Sequence, residues 1–219
     1  MYNYPFSECY NCPLYRMKPQ VSYVRILHAS PNTPAVDVYA NDKIIAKNLS
    51  YRNFTQYIGV PVGEYRIKVF KANTTQNPLI DTSIELPGSS AFTVAAIGML
   101  PNINLFPIVE HKKPLNPDKL YLRFAHLSPD APAVDIVTPD GNKLFEDISY
   151  KEVADYIEIS PGTYSVNVNI AGTNNTVLTV PNIRLLPNRY YTIYAVGLAG
   201  GKPSLQVLIP LDGASYLRE

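Results

Sequence analysis

His28, Ser30 and Asp37 lie within His-Ala-Ser-Pro-Asn-Thr-Pro-Ala-Val-Asp, and 98 residues later His126, Ser128 and Asp135 lie within His-Leu-Ser-Pro-Asp-Ala-Pro-Ala-Val-Asp. A serine nucleophile, a histidine base and an orienting aspartate are the parts of a hydrolase. The spacing argues against that use. Each serine directly precedes a proline in a turn, with no nucleophile elbow and no evident oxyanion donors. The same side chains suit a scaffold better. Each histidine ends the apolar face of its strand, at the core margin, where it bonds a nearby carbonyl or the motif aspartate. Each serine and aspartate satisfies turn amides. His28 and Asp37 are also metal-ligand types, but a site needs three or four ligands. The third histidine, His111, sits in a polar linker. The expectation is therefore no catalytic set, no metal and no cofactor.

A second chemical pattern is Cys9-Tyr10-Asn11-Cys12, the only cysteines of the chain. The spacing is half of a four-cysteine zinc site, or a redox pair that would need a following helix and a βαβ setting. No such setting is legible here. Free thiols, a disulfide or cross-link through Cys9 and Cys12, and zinc shared between subunits all stay open. Asn48, Asn53, Asn73 and Asn174 each begin an Asn-Xaa-Ser/Thr triplet. Without a visible secretory signal these are read as chance in an Asn-rich chain.

The chain has 219 residues, 46% hydrophobic and 17% charged, with a net charge of +1. That balance gives no footprint for nucleic acid or an anionic membrane. No run approaches the length of a membrane span. The chain is expected to be intracellular at birth, exported by another route, or shown without its leader. The 20 prolines, 17 tyrosines and missing tryptophan favour strands, turns and contact surfaces over helices.

The elements that hold the motif alternate with period two. Val24, Ile26 and His28 share one face of a strand, leaving Tyr23, Arg25 and Leu27 on the other. The second copy repeats this as Leu122, Phe124 and His126. Two prolines stiffen the following turn. Gly63-Glu64-Tyr65 and Gly162-Thr163-Tyr164 each open a clean strand, and Tyr65 and Tyr164 enter it in the manner of a tyrosine corner. Phe92 to Gly98 and Tyr191 to Gly197 are nearly continuous apolar strands, expected at the centre of a sheet. Each copy yields about seven strands.

The twice-occurring motif, followed by Gly-Xaa-Tyr, resembles the bacterial family catalogued as domain of unknown function 4397. Two copies span residues 21–210. The resemblance implies a β-sandwich, often at a bacterial surface or envelope, and brings no activity and no catalytic residues. The expected fold is all-β: two tandem immunoglobulin-like or prealbumin-like antiparallel β-sandwiches. An extended Tyr/Cys-rich arm covers 1–20, repeat one 21–110, a linker 111–119 and repeat two 120–219. The expected role is a non-catalytic structural or assembly protein of a bacterial surface layer, such as a spore coat, appendage or cell envelope. Its expected partners are further copies or other surface proteins, with the arm as connector. The alternative is a carbohydrate- or ligand-binding module at the cell surface.

Overall fold

A computed structural model describes residues 20–217 except 89 and 115. Cys9 and Cys12 lie outside the described residues. The first repeat forms β1 (Val21–His28), β2 (Val36–Ala40), β3 (Lys43–Leu49), β4 (Ile58–Pro61), β5 (Gly63–Lys71), β6 (Ile80–Leu86), β7 (Ala91–Met99) and β8 (Asn102–Glu110). The second forms β9 (Leu120–His126), β10 (Val134–Val137), β11 (Lys143–Ile148), β12 (Ile157–Ile159), β13 (Gly162–Ile170), β14 (Thr176–Leu185), β15 (Tyr190–Val196) and β16 (Gln206–Leu208). Each repeat thus has eight strands rather than seven. The short β4 and β12 run almost directly into β5 and β13, and in sequence each pair reads as one element.

Each repeat is a sandwich of two four-stranded sheets, ordered β4-β1-β7-β8 against β3-β2-β5-β6, and β12-β9-β15-β16 against β11-β10-β13-β14. Pairing is antiparallel except for one parallel pair per repeat, β1 with β7 and β9 with β15. The period-two pattern explains the inner cores. Ile26, Val36, Val38, Ile67 and Val69 meet inside the first sandwich; Leu122, Phe124, Val134, Ile136 and Val166 meet inside the second. Apolar burial of this kind supplies the main driving force of each half.

The near-continuous apolar strands have a further cause. The outer faces of the β1-β7 and β9-β15 sheets pack on each other through a third cluster, which includes Leu27, Ala95, Ile97, Leu127 and Tyr194. The molecule is therefore four sheets deep, and its two middle sheets are buried on both faces. Polar outward residues would leave that central layer unfilled, which is why β7 and β15 do not alternate.

The two inner cores differ in filling. In the second, Phe124 stacks on Phe145 with ring centroids 6.3 Å apart. The equivalent positions in the first are Ile26 and Ala46, which oppose the same strand partners. A cavity of about 30 Å³ remains there, lined by Val24, Ile26, Val36, Val69, Val94 and Ala96 among others. Ile26→Phe is expected to fill it and to stabilise the chain by roughly 0.7 kcal/mol. The readout is thermal unfolding, with an expected rise in Tm of about 2 °C. A fall would mean that the added ring overpacks the site.

Candidate functional site: the motif corner and the face between repeats

Every polar side chain of the motif is engaged within the fold. Ser30 Oγ donates to Gly98 O at 2.7 Å, and Ser128 Oγ donates to Gly197 O at 2.8 Å. These hydroxyls tie the motif turn to the end of β7 or β15. The two glycines are required there. They adopt φ of +88° and +97°, and a Cβ would lie 2.5 Å from Asn102 O or 2.3 Å from Ser204 O. His28 Nε2 donates to Pro34 O at 3.0 Å, and His126 Nε2 to Pro132 O at 3.1 Å. Each ring thus braces the far side of its own double-proline turn.

The motif aspartates clamp two neighbouring bends. Asp37 accepts from Asn48 N at 2.7 Å and Asn73 N at 2.8 Å. Asp135 accepts from Asp147 N at 2.8 Å and Gly172 N at 3.1 Å. All four donor residues have positive φ. A buried carboxylate receiving two amides is a strong local constraint, because the hydrogen bonds are charge-assisted. Asp135 also meets Lys143 Nζ at 3.1 Å. Tyr65 and Tyr164 donate to the carbonyls of Pro61 and Ser160 four residues upstream, at 2.8 and 2.6 Å. Ser30 and Ser128 are fully buried. Among the described residues no cluster of three or more His, Cys, Asp or Glu gathers as a metal set.

The densest chemistry lies on the second face of β1 and β9, to which the sequence assigned no role. Arg25 and Arg123 are 4% and 3% exposed, between the two middle sheets. Arg25 Nε donates to Thr93 Oγ1 at 2.7 Å, and Arg123 Nε to Thr192 Oγ1 at 2.8 Å. Each threonine hydroxyl in turn donates a hydrogen bond to a carboxylate: Thr93 to Glu110 at 2.7 Å, Thr192 to Asp212 at 2.5 Å. Tyr57 and Tyr156 donate to the same two carboxylates, each at 2.5 Å. The arginine planes lie over aromatic rings, Arg25 over Phe54 and Tyr57 and Arg123 over Tyr156.

The cross-repeat bonds are reciprocal. Arg25 Nη1 donates to Leu211 O at 2.7 Å, and Arg123 Nη1 donates to Val109 O at 2.6 Å. Leu211 and Val109 are equivalent positions, one residue before Asp212 and Glu110. A residue that contacts the counterpart of its counterpart's partner is the mark of an approximate twofold interface. The symmetry fails in one place. Arg25 Nη2 meets Asp212 at 3.1 Å, Glu110 at 3.5 Å and Tyr194 Oη at 3.3 Å. Tyr194 corresponds to Ala95 in the first repeat, so Arg123 has no matching hydroxyl. Its Nη2 is buried without a hydrogen-bond partner among the described residues. A last segment then crosses over: Gly213 N donates to Glu110 Oε2 at 2.7 Å and to Tyr57 Oη at 3.0 Å, and Tyr216 packs edge-on to Tyr57.

Two arginines face two carboxylates across the layer, one pair from each repeat. Burial raises the pKa of Glu110, and the nearby Asp212 charge adds to this against the pull of Arg25. Burial opposes the charge of Arg25, yet the surrounding Tyr194, Tyr57, Glu110 and Asp212 hold its pKa above the ordinary arginine value. Tyr194 is pushed up to about 12, by burial first and Asp212 next. This layer was legible only as a coincidence of types, since Arg, Tyr and Thr recur at equivalent positions of both copies. The described tyrosines are mostly half-buried or buried. Among the large apolar residues exposed to solvent, Tyr216 is the only aromatic in the described chain.

A family model described as "Domain of unknown function (DUF4397)" matches residues 22–137 and again 137–215. No curated protein matches the chain. Among solved structures, the Bacillus anthracis TIE protein is 14% identical over 82% of this chain and 34% of its own, with a TM-score of 0.27. The chain thus spans about a third of that protein. CBMbc (family CBM26) from Eubacterium rectale Amy13K, solved with maltoheptaose, is 7% identical over 86% of this chain and 96% of its own, with a TM-score of 0.27. A leucine-rich repeat protein from Bacteroides thetaiotaomicron is 10% identical over 79% of this chain and 26% of its own, with a TM-score of 0.20.

The histidines carry a pH dependence whose sign follows from their burial. Desolvation lowers the pKa of both His28 and His126 below the ordinary value. In the second copy Nδ1 accepts from Ser128 N, so a charged ring would turn two donors on each other. Below about pH 6.5 the unfolded chain takes up protons that the folded chain refuses, and stability falls as pH falls. Glu110 has a raised pKa and works in the opposite direction, equally in both chains compared. The comparison is therefore with a His28→Gln/His126→Gln chain in urea melts from pH 8 to 5. The native chain should lose stability more steeply below about pH 6.5 than the double variant. Equal slopes would contradict neutral buried rings.

Proposed function

The chain belongs to the DUF4397 family, which it matches twice over, and from that premise we propose that it is a non-catalytic structural or assembly protein of a bacterial surface layer. One observation carries the reading: each polar side chain of the repeated motif bonds within the fold itself, His28 through Nε2 alone since its Nδ1 has no partner among the described residues. Ser30 and Ser128 are buried against carbonyls, Asp37 and Asp135 receive turn amides, and His28 and His126 brace the proline turns. A motif used this way stiffens a module rather than reacting with a substrate. The double-faced burial of the middle sheets adds rigidity, making the tandem repeat one thick block. The arm with Cys9 and Cys12 is the connector in this reading, joining a block to its neighbour by strand addition or oxidation. A spore coat, appendage or envelope layer is the proposed setting, with further copies or other surface proteins as neighbours. A carbohydrate platform would need grouped exposed aromatics, and among the described residues Tyr216 is the one aromatic in the exposed class.

The test compares the full chain with one lacking residues 1–20, by size analysis and non-reducing gels, with and without reductant. The full chain is expected to form larger species that are lost on deletion or reduction. Monomers in both forms, indifferent to reductant, would contradict the connector role.

A further inference from the structure

Resting on the assembly reading above, we propose that a second copy of this chain is a partner of the buried repeat faces, through reciprocal exchange. The first sandwich of one chain pairs with the second sandwich of another, and the second with the first. The two faces are built for each other rather than for themselves. At equivalent positions bulk is traded between copies: Leu27 against Ala125, Ala29 against Leu127, Phe54 against Val153, and Ala95 against Tyr194. Two first sandwiches would lack both Tyr194 rings, and neither Arg25 would find Asp212 or the Tyr194 hydroxyl. Two second sandwiches would bring two Tyr194 rings into a layer that holds one, and would lose the Glu110 site that receives Gly213 N. Mismatch of this sort selects the unlike pair, as specificity requires. Every cross-repeat bond seen within one chain can be remade between two, because each is non-covalent.

The covalent tie between the sandwiches is the 111–119 stretch alone. It contains Pro114 and Pro117 and is anchored to the second sandwich, where Tyr190 and Tyr121 donate to the carbonyls of Lys113 and Pro114. A short tie of this kind gives the internal pairing an effective concentration on the order of millimolar, so pairing between chains competes when chains are crowded to that level. A surface layer supplies that crowding. Exchange in both directions closes a dimer, whereas exchange with a different neighbour at each face extends a chain of blocks.

The experiment uses the full chain with Cys9→Ser and Cys12→Ser, so that no thiol of the arm contributes. It is unfolded in urea, refolded at concentrations from about 10 µM to about 1 mM, and examined by native mass spectrometry. The dimer-to-monomer ratio is expected to rise roughly tenfold for each tenfold rise in concentration, since closure is unimolecular and exchange bimolecular. In the isolated dimer, cutting a protease site substituted into the 111–119 tie should release monomer-sized pairs, because exchanged blocks are joined to one another only by that stretch. Monomer alone at every concentration would overturn the proposal, and so would dimers that keep their size after the cut. Either outcome leaves the thiol-dependent assembly reading standing, because that reading is tested on the unmodified arm.

Discussion

The Arg25 guanidinium lies between two β-sheets, hydrogen-bonded to Thr93, Leu211 O, Tyr194, Glu110 and Asp212. A cation there costs several kcal/mol in lost hydration, and only matched charge and satisfied donors offset it. That requirement shapes its surroundings. It demands carboxylates at the ends of both repeats, Glu110 and Asp212, and it holds the last segment of the chain across the first sandwich at Gly213. It also demands that water be kept out, which Leu27, Ala95, Leu127 and Tyr194 do by filling the layer around it. Removing one member would leave the others buried and unpaired, so the network holds as a unit.

The motif serves this layer from a distance. Ser30, His28 and Asp37 fix the turns and bends around β1 and β2, and so fix where the outward face of β1 presents Arg25. The same corner in the second copy presents Arg123. Duplication then produced two similar faces, and an approximate twofold contact is what similar faces make. Divergence at Ala95 and Tyr194 broke the equality. It gave Arg25 a hydroxyl that Arg123 lacks, and Arg123 Nη2 is left without a partner among the described residues.

Much of the sandwich was legible from residues. The period of β5 and β13, the proline turns and the 98-residue repeat each have a local physical cause, and local causes survive folding. The tyrosines at 65 and 164 were recognisable because a glycine turn precedes them. The parallel pairs β1-β7 and β9-β15 were not legible, since strand partners are chosen by the whole chain rather than by any window. Arg25 was correctly set on the face opposite Ile26, but its burial was not legible, for a related reason. Alternation separates two faces of a strand, but it does not say whether a second domain covers the polar one. The continuous apolar runs at Phe92–Gly98 and Tyr191–Gly197 were the available sign that the middle sheets are covered on both sides.

The account turns on the two repeats forming one cooperative body through the buried arginine layer. Differential scanning calorimetry of the full chain tests this most directly, with an Arg25→Met chain beside it. The account predicts a single transition for the native chain, with calorimetric and van't Hoff enthalpies in agreement, and a split into two transitions for Arg25→Met. Two resolved transitions in the native chain, or a single unshifted one in the variant, would contradict it.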